Sequence, residues 1–181
     1  ASLTAAAEQL ARHGGVVHTA PCDVADADAL KAYIDAAAEA LGGIDGLVNN
    51  PSGFGATDDE DGWKKSMDVD LMGVVRATWA AYPHLVASQG AILTISSVSG
   101  IGATTNMPYG AVKAAVIQLA QSQAKKFAAD RVRVNCIAPG SIIFPGGSWE
   151  RRETENPELY HNTLNRIPFG RFGKPEEIGT V

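Results

Sequence analysis

The sequence predicts an α/β fold, a doubly wound parallel sheet with helices packed on it. Short β-branched apolar runs alternate with segments of helical periodicity along the whole chain, as repeated βα units around a parallel sheet require. The chemically unusual residues follow the ends of the apolar runs: Asp23, Asn49-Asn50, Ser96-Ser97 and Pro139-Gly140. In doubly wound sheets ligands bind outside the carboxyl ends of the strands, so four strand ends are expected to converge on one crevice.

Each element has its own signal. Leu3 to Arg12 reads as the end of a helix closed by Gly14-Gly15, and Val16 to Ala20 as a short strand,. Asp26 is placed to cap a helix whose apolar residues Leu30, Tyr33, Ile34, Ala37, Ala38 and Leu41 keep helical spacing until Gly42-Gly43,. Ile44 to Asn49 is the next strand. The acidic cluster Asp58 to Asp61 favours the start of a helix running to about Val86,; a bound cation is the other use of such a cluster. Ala91 to Ile95 is a strand, and a Ser/Gly-rich loop leads to a helix from about Pro108 to Ala128, with proline suited to the first turn,. Val132 to Ile137 is a further strand, ending at Pro139-Gly140. The aromatic, glycine-bearing stretch 141–172 has weak periodicity and reads as a mobile excursion over a site,.

Composition bounds the function. The chain has 181 residues, 45% of them hydrophobic and 19% charged, enough for one sizeable core. A net charge of -5 and the lack of Lys/Arg runs argue against nucleic acid or an anionic membrane as partner,. No apolar stretch approaches the roughly 20 residues of a membrane span. The opening Ala1-Ser2-Leu3 lacks the basic start of a signal peptide,. Cys22 and Cys136 form no metal or disulfide pattern, so no metal is expected and both are expected as reduced thiols of a cytoplasmic protein,.

Tyr109 and Lys113 carry the chemistry. Four residues apart near the start of a helix, they rise from one face and can reach the same small volume,. A free tyrosine titrates near about 10, and a neighbouring ammonium favours the phenolate, which suits the pair to general acid/base work. Taken alone, Tyr-x-x-x-Lys also describes a packed tyrosine beside a solvated lysine. Upstream, Ile95-Ser96-Ser97-Val98-Ser99-Gly100 runs a strand into small hydroxyls, where a substrate oxygen could be held; the bland alternative is a Ser-rich turn,.

With Asp23-Val24, Asn49-Asn50-Pro51-Ser52-Gly53, Ile95-Ser96-Ser97, Tyr109-Gly110-Ala111-Val112-Lys113, Val134 to Gly140 and Phe169 to Glu177 in order and at similar spacing, the chain resembles the short-chain dehydrogenase/reductase family over essentially its whole length. The resemblance implies a Rossmann-like sheet in three α/β/α layers, here without the family's first strands, glycine-rich loop and last strand. One domain over 1–181, incomplete at both ends, is then expected, with 141–172 as its substrate-binding excursion. It implies NAD or NADP as cofactor, a ketone or alcohol as substrate, and a homotetramer or homodimer built on helices 59–86 and 108–128. Ser97 would hold the substrate oxygen, Tyr109 would exchange its proton, and Lys113 would bind the nicotinamide ribose and depress the tyrosine pKa. Asp23 and Val24 would contact the adenine, Asn49 the adenosine ribose, and Pro139, Gly140 and Ile142 the nicotinamide end. For Asp23 a helix cap, and for Asn49-Asn50 a turn, are the structural alternatives. Phe144, Trp149, Tyr160 and Phe169 would form a lid with an apolar wall.

Three departures stand out. Asp70 occupies a position where the family usually has asparagine in a proton relay to the lysine, so the relay is expected to pass through water with a shifted pH optimum. Eleven residues separate Ser97 from Tyr109 where twelve are more usual, which keeps Ser96 as a second candidate for the serine role. Pro51-Ser52 replaces a single alanine. The residue that would choose between NAD and NADP is not in this sequence, and a non-catalytic remnant acting as a binding protein is the alternative; tight binding of NADH or NADPH would exclude it.

Overall fold

The computed structural model describes residues 3–181; Ala1 and Ser2, which entered above only through their lack of positive charge, lie outside the described residues. Two compact units are present, divided after Ala138.

The first unit is organised around three parallel strands in the order β1 (Gly46–Asn49), β2 (Ala91–Ile95) and β3 (Arg133–Ile137). Leu47 pairs with Ile92 and Ile92 with Val134, so the three carboxyl ends lie side by side. Helix α1 (Leu3–Ala11) is followed by Gly14 at φ 83°. Residues 16–20 join no ladder. The strand expected there needs a paired neighbour for its amides and carbonyls, and none of the described strands lies beside it.

Helix α2 (Ala27–Leu41) begins where Asp26 Oδ1 accepts the amides of Asp28 and Ala29, both at 3.0 Å, and ends at Gly42 in the left-handed region. Its Leu30 and Ile34 pack with Ala77, Ala81 and Leu85 of helix α4 (Val74–Ser88), with Ile92, and with Phe127 and Val132. Burying each of the larger side chains contributes about 1.5–3 kcal/mol.

The acidic cluster starts a helix, as expected. Asp59 accepts the Gly62 amide at 2.8 Å and caps α3 (Glu60–Lys65), while Asp58 accepts from Trp63 Nε1. What the periodicity did not announce is a π-helical segment, Ser66–Gly73, between α3 and α4. Helix α5 (Met107–Phe127) buries Val112, Val116, Ala120 and Phe127 along one stripe, the spacing an amphipathic helix needs.

The second unit, from Pro139, is more regular than its weak periodicity suggested. Two helices occupy it, α6 (Ser148–Glu155) and α7 (Pro157–Leu164), before the short α8 (Pro175–Gly179). Trp149 stacks on Phe172 with centroids 5.0 Å apart, and buried Tyr160 lies 4.9 Å from the same ring. Two of the four aromatics expected to wall a lid are thus used in packing, while Phe144 and Phe169 are exposed.

Candidate active site

The site is built at the end of β2. Ser96 is buried, its amide donating to Ile137 O and its hydroxyl to Lys113 O, both at 2.7 Å. That hydroxyl ties the strand end to α5 and is committed there, leaving Ser97 as the serine whose hydroxyl interacts with Tyr109. Ser97 is extended and opens a tight 3-10 turn, Val98–Gly100, by accepting the Ser99 amide at 3.1 Å. The turn can lie on α5 because Gly100 has no side chain: a Cβ there would stand 2.6 Å from the Lys113 carbonyl carbon.

Tyr109 and Lys113 share a face, as their spacing predicted. Lys113 Nζ lies 5.6 Å from the Tyr109 ring centroid and donates to Ile95 O at 3.1 Å. The lysine is 3% exposed and Asp70 is fully buried. Asp70 Oδ1 stands 3.1 Å from Lys113 Nζ, an ionic contact off the line of a hydrogen bond, and Oδ2 accepts the Gly53 amide at 2.9 Å. Asp70 and Lys113 are thus in direct contact. Buried charges seek their own counter-ion, since bare burial of either would be costly.

This pairing changes the electrostatics at Tyr109. Burial raises the phenol above its ordinary value, a hydrogen bond with Ser97 acts in the opposite sense, and the Asp70 carboxylate raises it again. The direction is opposite to the depression expected from Lys113, first because burial disfavours the phenolate and then because the Asp70 carboxylate repels it,. At neutral pH the phenol holds its proton.

The residues that the resemblance assigns to a cofactor divide between the two units. In the first, Val24, Asn49, Asn50 and Pro51 line an open cavity of about 350 Å³ together with apolar residues of α2 and β1. Asn49 is 3% exposed, and its amide donates to Thr78 Oγ1 at 3.4 Å. Asp23 is exposed; Oδ1 accepts the Ala25 amide at 2.9 Å in a turn ahead of the true cap, Asp26. The second carboxylate oxygen has no such bond. The cavity is mostly apolar, with Asn49 and Asn50 in its lining at the end of a parallel strand, where doubly wound sheets bind their ligands,. Within the second unit Ile142 forms a bridge with Gly173, while Ser141 O accepts the Gly173 amide at 3.0 Å. The bidentate Arg171–Glu177 pair holds that corner, and with the Lys174 amide it lowers the Glu177 carboxyl to about 2.

Sequence reasoning quoted Gly53 within a motif without giving it a role, and missed Phe54. Gly53 donates the hydrogen bond that Asp70 Oδ2 accepts, and the Phe54 ring meets the Tyr109 ring with centroids 5.2 Å apart. The signal was the Gly-Phe-Gly run at 53–55, since paired glycines mark a backbone that comes close to something,.

The chain is similar to known proteins over most of its length. A family model described as enoyl-(acyl carrier protein) reductase matches residues 1–181. The chain is 38% identical over 170 residues to a 3-oxoacyl-[acyl-carrier-protein] reductase of Thermotoga maritima, covering 88% of this chain and 65% of that protein. It is 35% identical over 162 residues to an isoepoxydon dehydrogenase of Penicillium expansum, covering 88% of this chain and 62% of that one. It thus spans slightly less than two thirds of both relatives. Among solved structures, an NAD+-bound xylitol dehydrogenase superposes with a TM-score of 0.89 at 26% identity, over 98% of this chain and 75% of that one.

Proposed function

Because the chain belongs to the short-chain dehydrogenase/reductase family, we propose that the full-length protein is an NAD(P)-dependent oxidoreductase interconverting a ketone and a secondary alcohol, with Tyr109 as its general acid/base. The observation that carries this reading is the contact of Lys113 with the Tyr109 ring, beside Ser97, at the end of a parallel strand. When bound, a nicotinamide supplies or removes the hydride.

The chain's own residues do the rest. In the reducing direction Ser97 donates a hydrogen bond to the carbonyl oxygen, where negative charge grows as the carbon gains the hydride. Tyr109 Oη then delivers its proton to that oxygen. In the oxidising direction the proton returns from the alcohol to the phenolate. A phenol held protonated at neutral pH favours reduction there and oxidation at alkaline pH. Asp23, Val24 and Asn49 would hold the adenosine end, Lys113 the ribose near the reacting centre, and Pro139, Gly140 and Ile142 the nicotinamide. The substrate would be covered by the excursion 141–172.

The exposed apolar side chains of Trp63, Met67 and Trp79 on the first of the two helices 59–86 and 108–128 support a homodimer or homotetramer built on that pair. No described helix is long and apolar enough to cross a membrane; a cytoplasmic location is part of the proposal.

Tyr109→Phe in the full-length protein should lose about 10²- to 10⁴-fold in turnover, the worth of a positioned proton donor. Binding of NADH or NADPH, followed by fluorescence titration, should be retained. Turnover that survives the substitution would remove the role.

A further inference from the structure

The loop between β1 and α3 is shaped by unusual constraints. Phe54 has φ 43°, a left-handed backbone that a bulky residue adopts only where its surroundings impose it. The surroundings are visible on both sides. Gly53 donates to Asp70, and a Cβ on it would come within 2.6 Å of Lys65 O. At Gly55 a Cβ would collide with the Gly62 carbonyl. Both neighbours are thus pressed onto α3 and the π-helical segment, and Phe54 is turned towards Tyr109.

Its ring meets the Tyr109 ring edge-on at 62°, with centroids 5.2 Å apart, a favourable aromatic geometry,. Yet Phe54 is 46% exposed. A ring recruited only for core packing would be buried; one held in a strained backbone, half open, beside a proton donor follows the pattern of a functional site.

We infer that Phe54 is a specificity-determining residue: its open face forms a wall of the substrate pocket and favours ketones and secondary alcohols bearing a flat apolar substituent, such as an aryl group, next to the reacting carbon. This inference rests on the oxidoreductase reading above. The ring offers area and a π face but no hydrogen bond, and the Gly53 amide beside it is already used by Asp70. A hydroxylated or charged substituent placed there would lose water without gaining a partner.

The test compares acetophenone with butan-2-one as substrates of the full-length protein and of Phe54→Gly, a substitution native to this backbone conformation, so that loss of the ring is separated from collapse of the loop. The unsubstituted protein should prefer acetophenone. In Phe54→Gly the aryl-to-alkyl ratio of kcat/KM should fall by about three- to tenfold, the range of an aromatic contact. The loss should appear in KM for acetophenone more than in kcat, and Phe54→Tyr should restore it. A ratio that moves by less than about twofold, or a matched fall for both ketones, would mean that Phe54 only supports Tyr109 and would overturn the inference. Retained turnover in Tyr109→Phe would instead strike the oxidoreductase reading, whatever Phe54 does.

Discussion

Asp70 is a carboxylate in a place where an uncharged amide would suffice to fill the space and accept the Gly53 amide. Its charge reaches two neighbours: Lys113, at 3.1 Å, and the Tyr109 phenol, which it raises. The sign of its removal follows. Asp70→Asn deletes the raising influence on Tyr109 and leaves the ammonium of Lys113 without an opposing charge, and both changes favour the phenolate. Alcohol oxidation, which needs the phenolate, should therefore reach its plateau at lower pH in the variant. Profiles of kcat/KM against pH for the two full-length proteins measure this directly. A profile that stays in place, or moves to higher pH, would show that the phenol does not feel this carboxylate.

At the scale of elements, the site depends on two close backbone approaches. The turn after β2 lies against α5 because Gly100 lacks a Cβ, and a methyl group there would stand 2.6 Å from the Lys113 carbonyl carbon and 2.7 Å from the Ala114 nitrogen. Backbone cannot rotate away as a side chain can, so Gly100→Ala must push the turn, and Ser97 with it, off the helix. Overpacking of this kind costs about 1–3 kcal/mol, and misplacement by about 1 Å can cost 10²-fold in rate. The variant should stay folded with a lower melting temperature and lose turnover far beyond what its stability explains; a melting curve beside a rate assay decides it. Most elements were legible because local signals and tertiary packing agree: the Asp26 cap, the Gly42 stop, Pro108 in the first turn of α5, and the Tyr109–Lys113 spacing. Others were not. The π-helical segment 66–73 buries Ser66, Asp70 and Gly73, polar or side-chain-free positions that a search for apolar periodicity passes over,. The strand read at 16–20 has sound composition, but composition cannot supply a partner,. The role of Phe54 depends on a contact between residues 55 positions apart, which no local pattern encodes.

At the scale of the whole molecule, the cluster of Ser97, Tyr109, Lys113 and Asp70 belongs to the first unit, and its precision is inherited from that unit's core. Leu85 and Ile92, at 0% and 1% exposure, lie at the centre of the packing among α2, α4 and the sheet. Leu85 sits on the helix that continues the segment holding Asp70, and Ile92 sits on the strand that leads to Ser97. Leu85→Ala removes three carbons from a site with no solvent path, and such a change destabilises by about 2–5 kcal/mol through lost transfer energy and the cavity left behind. For a chain of this size that corresponds to a melting temperature lower by about 5–15 °C. Lys31→Ala, which removes an exposed i,i+4 partner of Asp35, should cost no more than about 0.5 kcal/mol. Denaturant titrations of both variants of the full-length protein test the contrast. Equal costs would mean that the α2–α4–sheet core is not what holds this unit together. Because Leu85 touches none of the reacting groups, turnover per folded molecule should remain at the unsubstituted level well below the new melting point. In Gly100→Ala, by contrast, it should already be lost there, since that substitution moves the site and not the core.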